Sequence, residues 1–215
     1  MSPRHSNHHR PLAPLVVIEG VDGSGKSTLA RLLNESIPGS TLVRNLPSDT
    51  LTSKYLRRFP SSRAYLWALS RDRSRRIIPL QRAYSLVIQD RALLSEMTHL
   101  PNALRPRTRK LAARTIASTP PPDLIILLDP PPALCYTRIT ERDAAFPTEY
   151  NSTIEGLTRR SVLYRASLSR FACPSITLTS ASLTETFNAA LAALASLGVY
   201  PDPLSRPVQF LKEPL

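Results

Sequence analysis

The stretch "LVVIEGVDGSGKST", Leu15 to Thr28, decides how this chain folds. From Gly20 to Ser27 it fits the phosphate-binding pattern G-x-x-x-x-G-K-[ST]. The glycines let the backbone take positive φ and approach a phosphate with no Cβ in the way. The N–H groups of such a loop point inward, and the helix that follows adds its positive end. Lys26 is placed to reach the β- and γ-phosphates of a nucleotide, and the Ser27 hydroxyl to ligate Mg²⁺. The motif needs a strand before it and a helix after it. Leu15-Val16-Val17-Ile18 is a short apolar run suited to a buried strand, and Leu29, Leu32 and Leu33 recur at helical spacing.

Working outward, apolar runs predict five buried strands: 15–19, 41–44, 86–89, 124–128 and 176–179. Helical patterns lie between them. The basic segment 61–78 carries Leu66, Trp67, Leu69 and Ile77. Residues 154–171 put Ile154, Leu157, Tyr164, Leu168 and Phe171 on one face, and 183–197 repeat Leu183, Phe187, Leu191 and Leu194. Strands alternating with helices predict an α/β fold with a mostly parallel sheet covered on both sides. The proline runs 120–122 and 130–132 frame the fourth strand as loop punctuation.

The 215 residues suit one sizeable domain, expected over 15–197, with a flexible arm at 1–14 and a proline-rich tail at 198–215. No apolar run approaches the roughly 18 residues of a membrane span. Cys135 and Cys173 stand far apart without metal-type spacing, which agrees with an expected cytoplasmic location. The net charge is +12. That balance suits a small anionic substrate; a dedicated nucleic-acid surface is the less favoured reading, because no zinc-finger, RNA-recognition or helix-turn-helix signature accompanies it.

Three further stretches follow the loop in order: "LWALSRDR" (66–73), "VIQDR" (87–91) and "PPDLIILLDPPPALCYTRITER" (121–142). With the loop, they resemble the thymidylate kinase family of P-loop nucleoside-monophosphate kinases over about residues 15–195. The resemblance implies a three-layer α/β/α P-loop NTPase fold, with a five-stranded parallel sheet and a short helical lid at about 138–150. It implies ATP and Mg²⁺ as cofactors, a pyrimidine monophosphate such as dTMP as acceptor, and a homodimer. Gly20, Val21, Asp22, Gly23, Ser24, Gly25, Lys26, Ser27 and Thr28 then cradle the donor nucleotide. Asp22 matches the loop Asp that faces the acceptor sugar and the metal. Asp90 matches an Asp near the transferring phosphate and Mg²⁺, and Arg91 the Arg that holds the acceptor phosphate. Trp67 stands where the family stacks an aromatic ring on the acceptor base. Arg71 and Arg44 match nucleotide-side arginines, Ser95 a small polar residue near the base, and Arg138 and Arg142 the start of the lid.

Physical chemistry agrees with those roles. Phosphoryl transfer spreads charge over equatorial oxygens, so catalysis is positioning plus cations. A strand-terminal Asp suits Mg²⁺, and a guanidinium grips phosphate with two prongs. Asp129 also ends an apolar strand; Asp90 is preferred for the metal on the expectation that its strand lies beside the loop strand, which leaves Asp129 a structural role. Ala92 replaces the tyrosine of the family's Asp-Arg-Tyr, and the loop holds no Arg, so the extra cation falls to Arg138 or Arg142. Two alternatives stand beside this reading: a deoxynucleoside kinase, which needs a general base at a hydroxyl, and a nucleic-acid-associated P-loop ATPase or switch.

Trp67 is the sole tryptophan, so its emission reports on one place. Base–aromatic stacking is worth about 1–3 kcal/mol, so Trp67→Ala should weaken acceptor binding roughly ten- to a hundredfold and Trp67→Phe should restore most of it. Emission unchanged by every pyrimidine monophosphate, with a large thermal loss in the Ala variant, would make Trp67 a core residue.

Overall fold

A computed structural model describes residues 12–44, 75–92, 94, 95, 98, 121–142, 153–169, 171 and 173–198. Its centre is a five-stranded sheet: β1 (Leu15–Gly20), β2 (Ser40–Arg44), β3 (Leu86–Asp90), β4 (Leu124–Leu128) and β5 (Ser175–Leu178). The order is β2-β3-β1-β4-β5, and every pair is parallel. Each expected strand is present to within a residue at either end. The described helices include α1 (Lys26–Ser36), α2 (Pro132–Arg142), α3 (Ile154–Leu168) and α4 (Leu183–Ser196), and residues 75–83 are also helical.

Strand alternation sorts the apolar side chains into two layers. Val16, Ile18, Leu86, Ile88 and Ile126 point to one face and pack with Leu29 and Leu33 of α1 and Phe187, Leu191 and Leu194 of α4. On the other face, Leu15, Val17 and Val87 meet Ile77 of the 75–83 helix, while Ile125 and Leu127 meet Cys135 and Ile139 of α2 and Leu157 and Tyr164 of α3. β1, β3 and β4 are buried on both faces, which is why they open on apolar runs, 15–18, 86–88 and 124–128. Ile154 and Leu183 depart from the expected apolar faces. Each is the first residue of its helix and is exposed, because a helix end projects past the sheet it packs on.

Thr153 caps α3 and Ser182 caps α4 through side-chain oxygens that accept from Gly156 and Glu185 N–H. α1 differs. Its N-cap is Gly25, with no side-chain cap and no acidic residue in the first turn. The N–H groups that open α1 are thereby left to another acceptor.

Both flanking strands lie beside β1, so adjacency to the loop strand does not separate Asp90 from Asp129. Their own contacts do. Asp129 is held by the Ser161 hydroxyl and by Arg165 at 3.3 Å, both on α3. Asp90 faces the loop. Gly20, at the end of β1, has φ 145°, and a Cβ built there would lie 2.3 Å from the Leu128 carbonyl oxygen of β4. Gly20→Ala should therefore lower unfolding free energy by about 2 kcal/mol or more in urea denaturation. A variant of wild-type stability would mean that β1 and β4 separate easily at this point.

Candidate functional site

α1, which follows β1, packs on one face of the sheet, while Leu94, which follows β3, packs on the other, so the crevice at the carboxyl ends of β1 and β3 is where an open α/β sheet takes its ligand. Gly20 to Thr28 occupy the end of β1, and Asp90 and Arg91 the end of β3. Gly23 has φ 75°, and a Cβ there would stand 2.3 Å from the Cys135 carbonyl oxygen of α2. The loop is thus seated on α2 by backbone contact, with Ser27 and Thr28 exposed at its open side.

Lys26 is 4% exposed and is wrapped by its own loop. Its Nζ donates to the Val21 carbonyl at 2.5 Å and to Ser24 Oγ at 3.4 Å. Burial is the largest influence on the ammonium and pulls its pKa down to about 8, against the opposing pull of the Asp90 and Glu19 charges.

Ser27 Oγ donates to Asp90 Oδ2 at 2.6 Å. Asp90 Oδ1 is buried with no hydrogen-bond partner among the described residues. A buried carboxylate oxygen without a donor, beside a serine hydroxyl, is a hard-oxygen pair of the type Mg²⁺ takes together with phosphate and water.

Arg91 crosses from β3 to the loop and pairs with Asp22 through Nη2. Its φ is 66°, the one positive value among the described non-glycine residues. Arg138, midway along α2, reaches the loop from the other side: Nη1 is 3.4 Å from the Gly23 carbonyl and Nη2 is 3.1 Å from that of Ala181. Arg142 stands in the last turn of α2, and its charge also depresses the Lys26 pKa. A cavity of about 220 Å³ opens beside the loop, lined by Ser24, Gly25, Thr28, Leu128, Arg138 and Leu183 among others.

The remaining expected positions separate. Arg44 ends β2, exposed, and its carbonyl accepts from Arg76 Nη1. Trp67 and Arg71 lie outside the described residues. Ser95 is buried at 3% exposure, its hydroxyl 2.5 Å from Glu19 Oε2 and 2.8 Å from the Tyr164 hydroxyl. Those contacts turn the side chain toward Glu19 and Tyr164 in the interior. Glu19 is the residue that reading the motif overlooked. A carboxylate directly after the apolar run Leu15–Ile18, within the same strand and next to the loop, is itself a signal, because buried acids are rare without dedicated partners.

Comparison with known proteins agrees with this geometry. The family model described as thymidylate kinase matches residues 18–164. A thymidylate kinase of Xylella fastidiosa (strain M12) is 34% identical over 161 residues, covering 69% of this chain and 72% of its own. A probable thymidylate kinase of Pyrobaculum aerophilum is 32% identical over 147 residues, covering 64% and 75%. Among solved structures, thymidylate kinase from Candida albicans aligns with a TM-score of 0.62 at 16% identity, over 87% of this chain and 93% of that one. A deoxyadenosine kinase from M. mycoides aligns with a TM-score of 0.64 at 13% identity, over 85% and 99%. At such low identity these two show the fold.

The lysine carries a pH signature. Its pKa falls from 10.5 in a free side chain to about 8 in the folded protein. Below pH 8 both states hold the proton, and burying the charge costs a constant amount. Between about 8 and 10.5 the unfolded chain binds more protons than the folded one, so stability contributed by this site rises with pH. Measured without nucleotide, the stability of the wild type relative to Lys26→Met should rise by up to about 3 kcal/mol across that window. A difference that stays flat in urea titrations from pH 7 to 10.5 would mean that the ammonium is well solvated.

Proposed function

Because the chain belongs to the thymidylate kinase family, we propose that it transfers the γ-phosphoryl group of ATP to a pyrimidine nucleoside monophosphate, converting dTMP to dTDP. One observation carries this reading furthest: Arg91 is pinned across the phosphate-binding loop by Asp22. A guanidinium built for phosphate thus stands at the mouth of a loop built for phosphate, and two phosphates held there face one another.

The donor phosphates lie on the N–H groups that open α1, with Lys26 turning its ammonium from the Val21 carbonyl toward them. The cavity beside Thr28 and Arg138 takes the rest of the donor. Arg138 is the better placed of the two helix arginines to supply the cation that the loop lacks, since it already reaches Gly23. Ser27 and Asp90 would hold Mg²⁺, which supplies charge neutralisation at the phosphates. Arg91 fixes the acceptor phosphate, and Asp22 sets the direction of its fork. Trp67, Arg71 and Arg44 serve the acceptor nucleoside. Cytoplasmic location and a homodimer complete the reading. Among the described residues, no helix is long and apolar enough to cross a membrane.

A phosphate acceptor needs no general base, because its oxygen is already anionic. Asp22 is paired with Arg91, and Glu19 is turned inward onto Ala92, Leu94 and Ser95, which leaves Asp90 Oδ1, the oxygen assigned to Mg²⁺, as the unpartnered carboxylate oxygen among these three acids. A hydroxyl acceptor would have to draw on that same Asp90 oxygen as its base, in competition with the metal.

An ADP-release assay over pyrimidine monophosphates and the matching nucleosides tests the proposal. Turnover should be confined to monophosphates. Arg91→Ala should raise acceptor KM by at least ~10², with ATP KM nearly unchanged, as expected when a charged hydrogen-bond partner is removed. Faster turnover of nucleosides would make the protein a nucleoside kinase. No turnover, with salt-sensitive binding to nucleic acid, would make it an ATPase or switch.

A further inference from the structure

Glu19 is fully buried at the end of β1, one residue before the loop. Its carboxylate acts only as an acceptor. Oε1 takes the backbone N–H groups of Ala92 at 2.8 Å, Leu94 at 3.1 Å and Ser95 at 3.2 Å. Oε2 takes the Ser95 hydroxyl at 2.5 Å. The Ser95 hydroxyl also meets that of Tyr164, buried on α3. Converging backbone N–H groups after a left-handed residue form an anion nest. Here the protein fills the nest with its own side chain.

The left-handed residue that opens this nest is Arg91. Its own N–H is held by the Ile18 carbonyl at 3.0 Å, and the next N–H, that of Ala92, by Glu19. Two successive residues of β1 thus grip two successive amides at the turn. A β-carbon resists the left-handed region, so the turn persists only where surrounding bonds over-determine it. The guanidinium reaches Asp22 because of that turn. Continuation of β3 as a strand would carry Arg91 along the sheet and away from the loop.

We propose that Glu19 is a positioning residue for the acceptor phosphate. By holding the N–H groups of Ala92, Leu94 and Ser95, it locks Arg91 in the left-handed turn that presents its guanidinium to the loop. Ser95 and Tyr164 extend the lock to α3. The acceptor role of Arg91 rests on the function proposed above; the lock itself does not.

Two readouts keep these claims apart. Hydrogen exchange needs no substrate: in Glu19→Gln the amides of Ala92, Leu94 and Ser95 should exchange at least about tenfold faster than in the wild type, because a neutral acceptor holds donors less well than a carboxylate. Glu19→Ala should speed them further. In steady-state kinetics, Glu19→Gln should raise acceptor KM about tenfold with ATP KM within twofold. In an Arg91→Ala background, the same change should alter acceptor KM by less than about twofold, since the residue being positioned is gone. Unchanged exchange in Glu19→Gln would overturn the lock. Faster exchange with equal multiplication of KM in both backgrounds would overturn its action through Arg91. Wild-type protein that turns over no monophosphate would overturn the kinase reading, and exchange alone would then decide the lock. If Glu19→Ala fails to fold, Glu19→Gln and Ser95→Ala carry the test; the latter should speed exchange of the Ser95 amide by a smaller factor.

Discussion

The chain must turn out of β1 against the Leu128 carbonyl, and only a residue without a side chain can make that turn. Everything at the site is placed by it. Gly20 brings the loop off the sheet between β3 and β4, and Gly23 then lays it on the Cys135 carbonyl of α2. α1 begins three residues after Gly23, with no side chain capping its first N–H groups. The loop therefore sits against a strand and a helix that are themselves core elements, the condition under which a binding constellation keeps its geometry.

Much of this was legible in the residues. Parallel strands buried on both faces are largely apolar, so the runs at 15–18, 86–88 and 124–128 announce themselves. The loop is legible because backbone approach to phosphate demands glycines, and Lys26 and Ser27 stand at fixed places in it. Side-chain partners across the fold are another matter. Spacing says nothing of which acid meets which donor, so Asp90 and Asp129 look alike in sequence, each ending an apolar run. Ser161 and Arg165, thirty-odd residues downstream, claim Asp129, while Ser27 claims Asp90. Glu19 was missed for the same reason: its meeting with Ser95 joins residues 76 apart.

The carboxylates illustrate how one chemical group takes different tasks from its neighbours. Glu19 is enclosed by backbone amides, Asp22 faces a guanidinium, Asp90 shares a hydroxyl and keeps one oxygen bare, and Asp129 braces α3. Tyr164 shows the cost of such company: burial first, and then the charge of Glu19, push its hydroxyl above the ordinary range, so it remains a hydrogen-bonding alcohol.

The pairing of Asp22 with Arg91 has a consequence for discrimination among anions. A chain with a net charge of +12 draws anions of every kind toward its surface. An anion that arrives at Arg91 meets a cation already shared with a carboxylate. Chloride, with one diffuse charge and no fork-shaped pair of oxygens, gains little by competing. A phosphate monoester offers about two charges and several oxygens in the geometry a guanidinium prefers, and it can take donors that Asp22 does not occupy. On the role proposed for Arg91, the ion pair would work as a threshold on charge density, passing over the abundant monovalent ions of a salt solution and yielding to a doubly charged oxyanion.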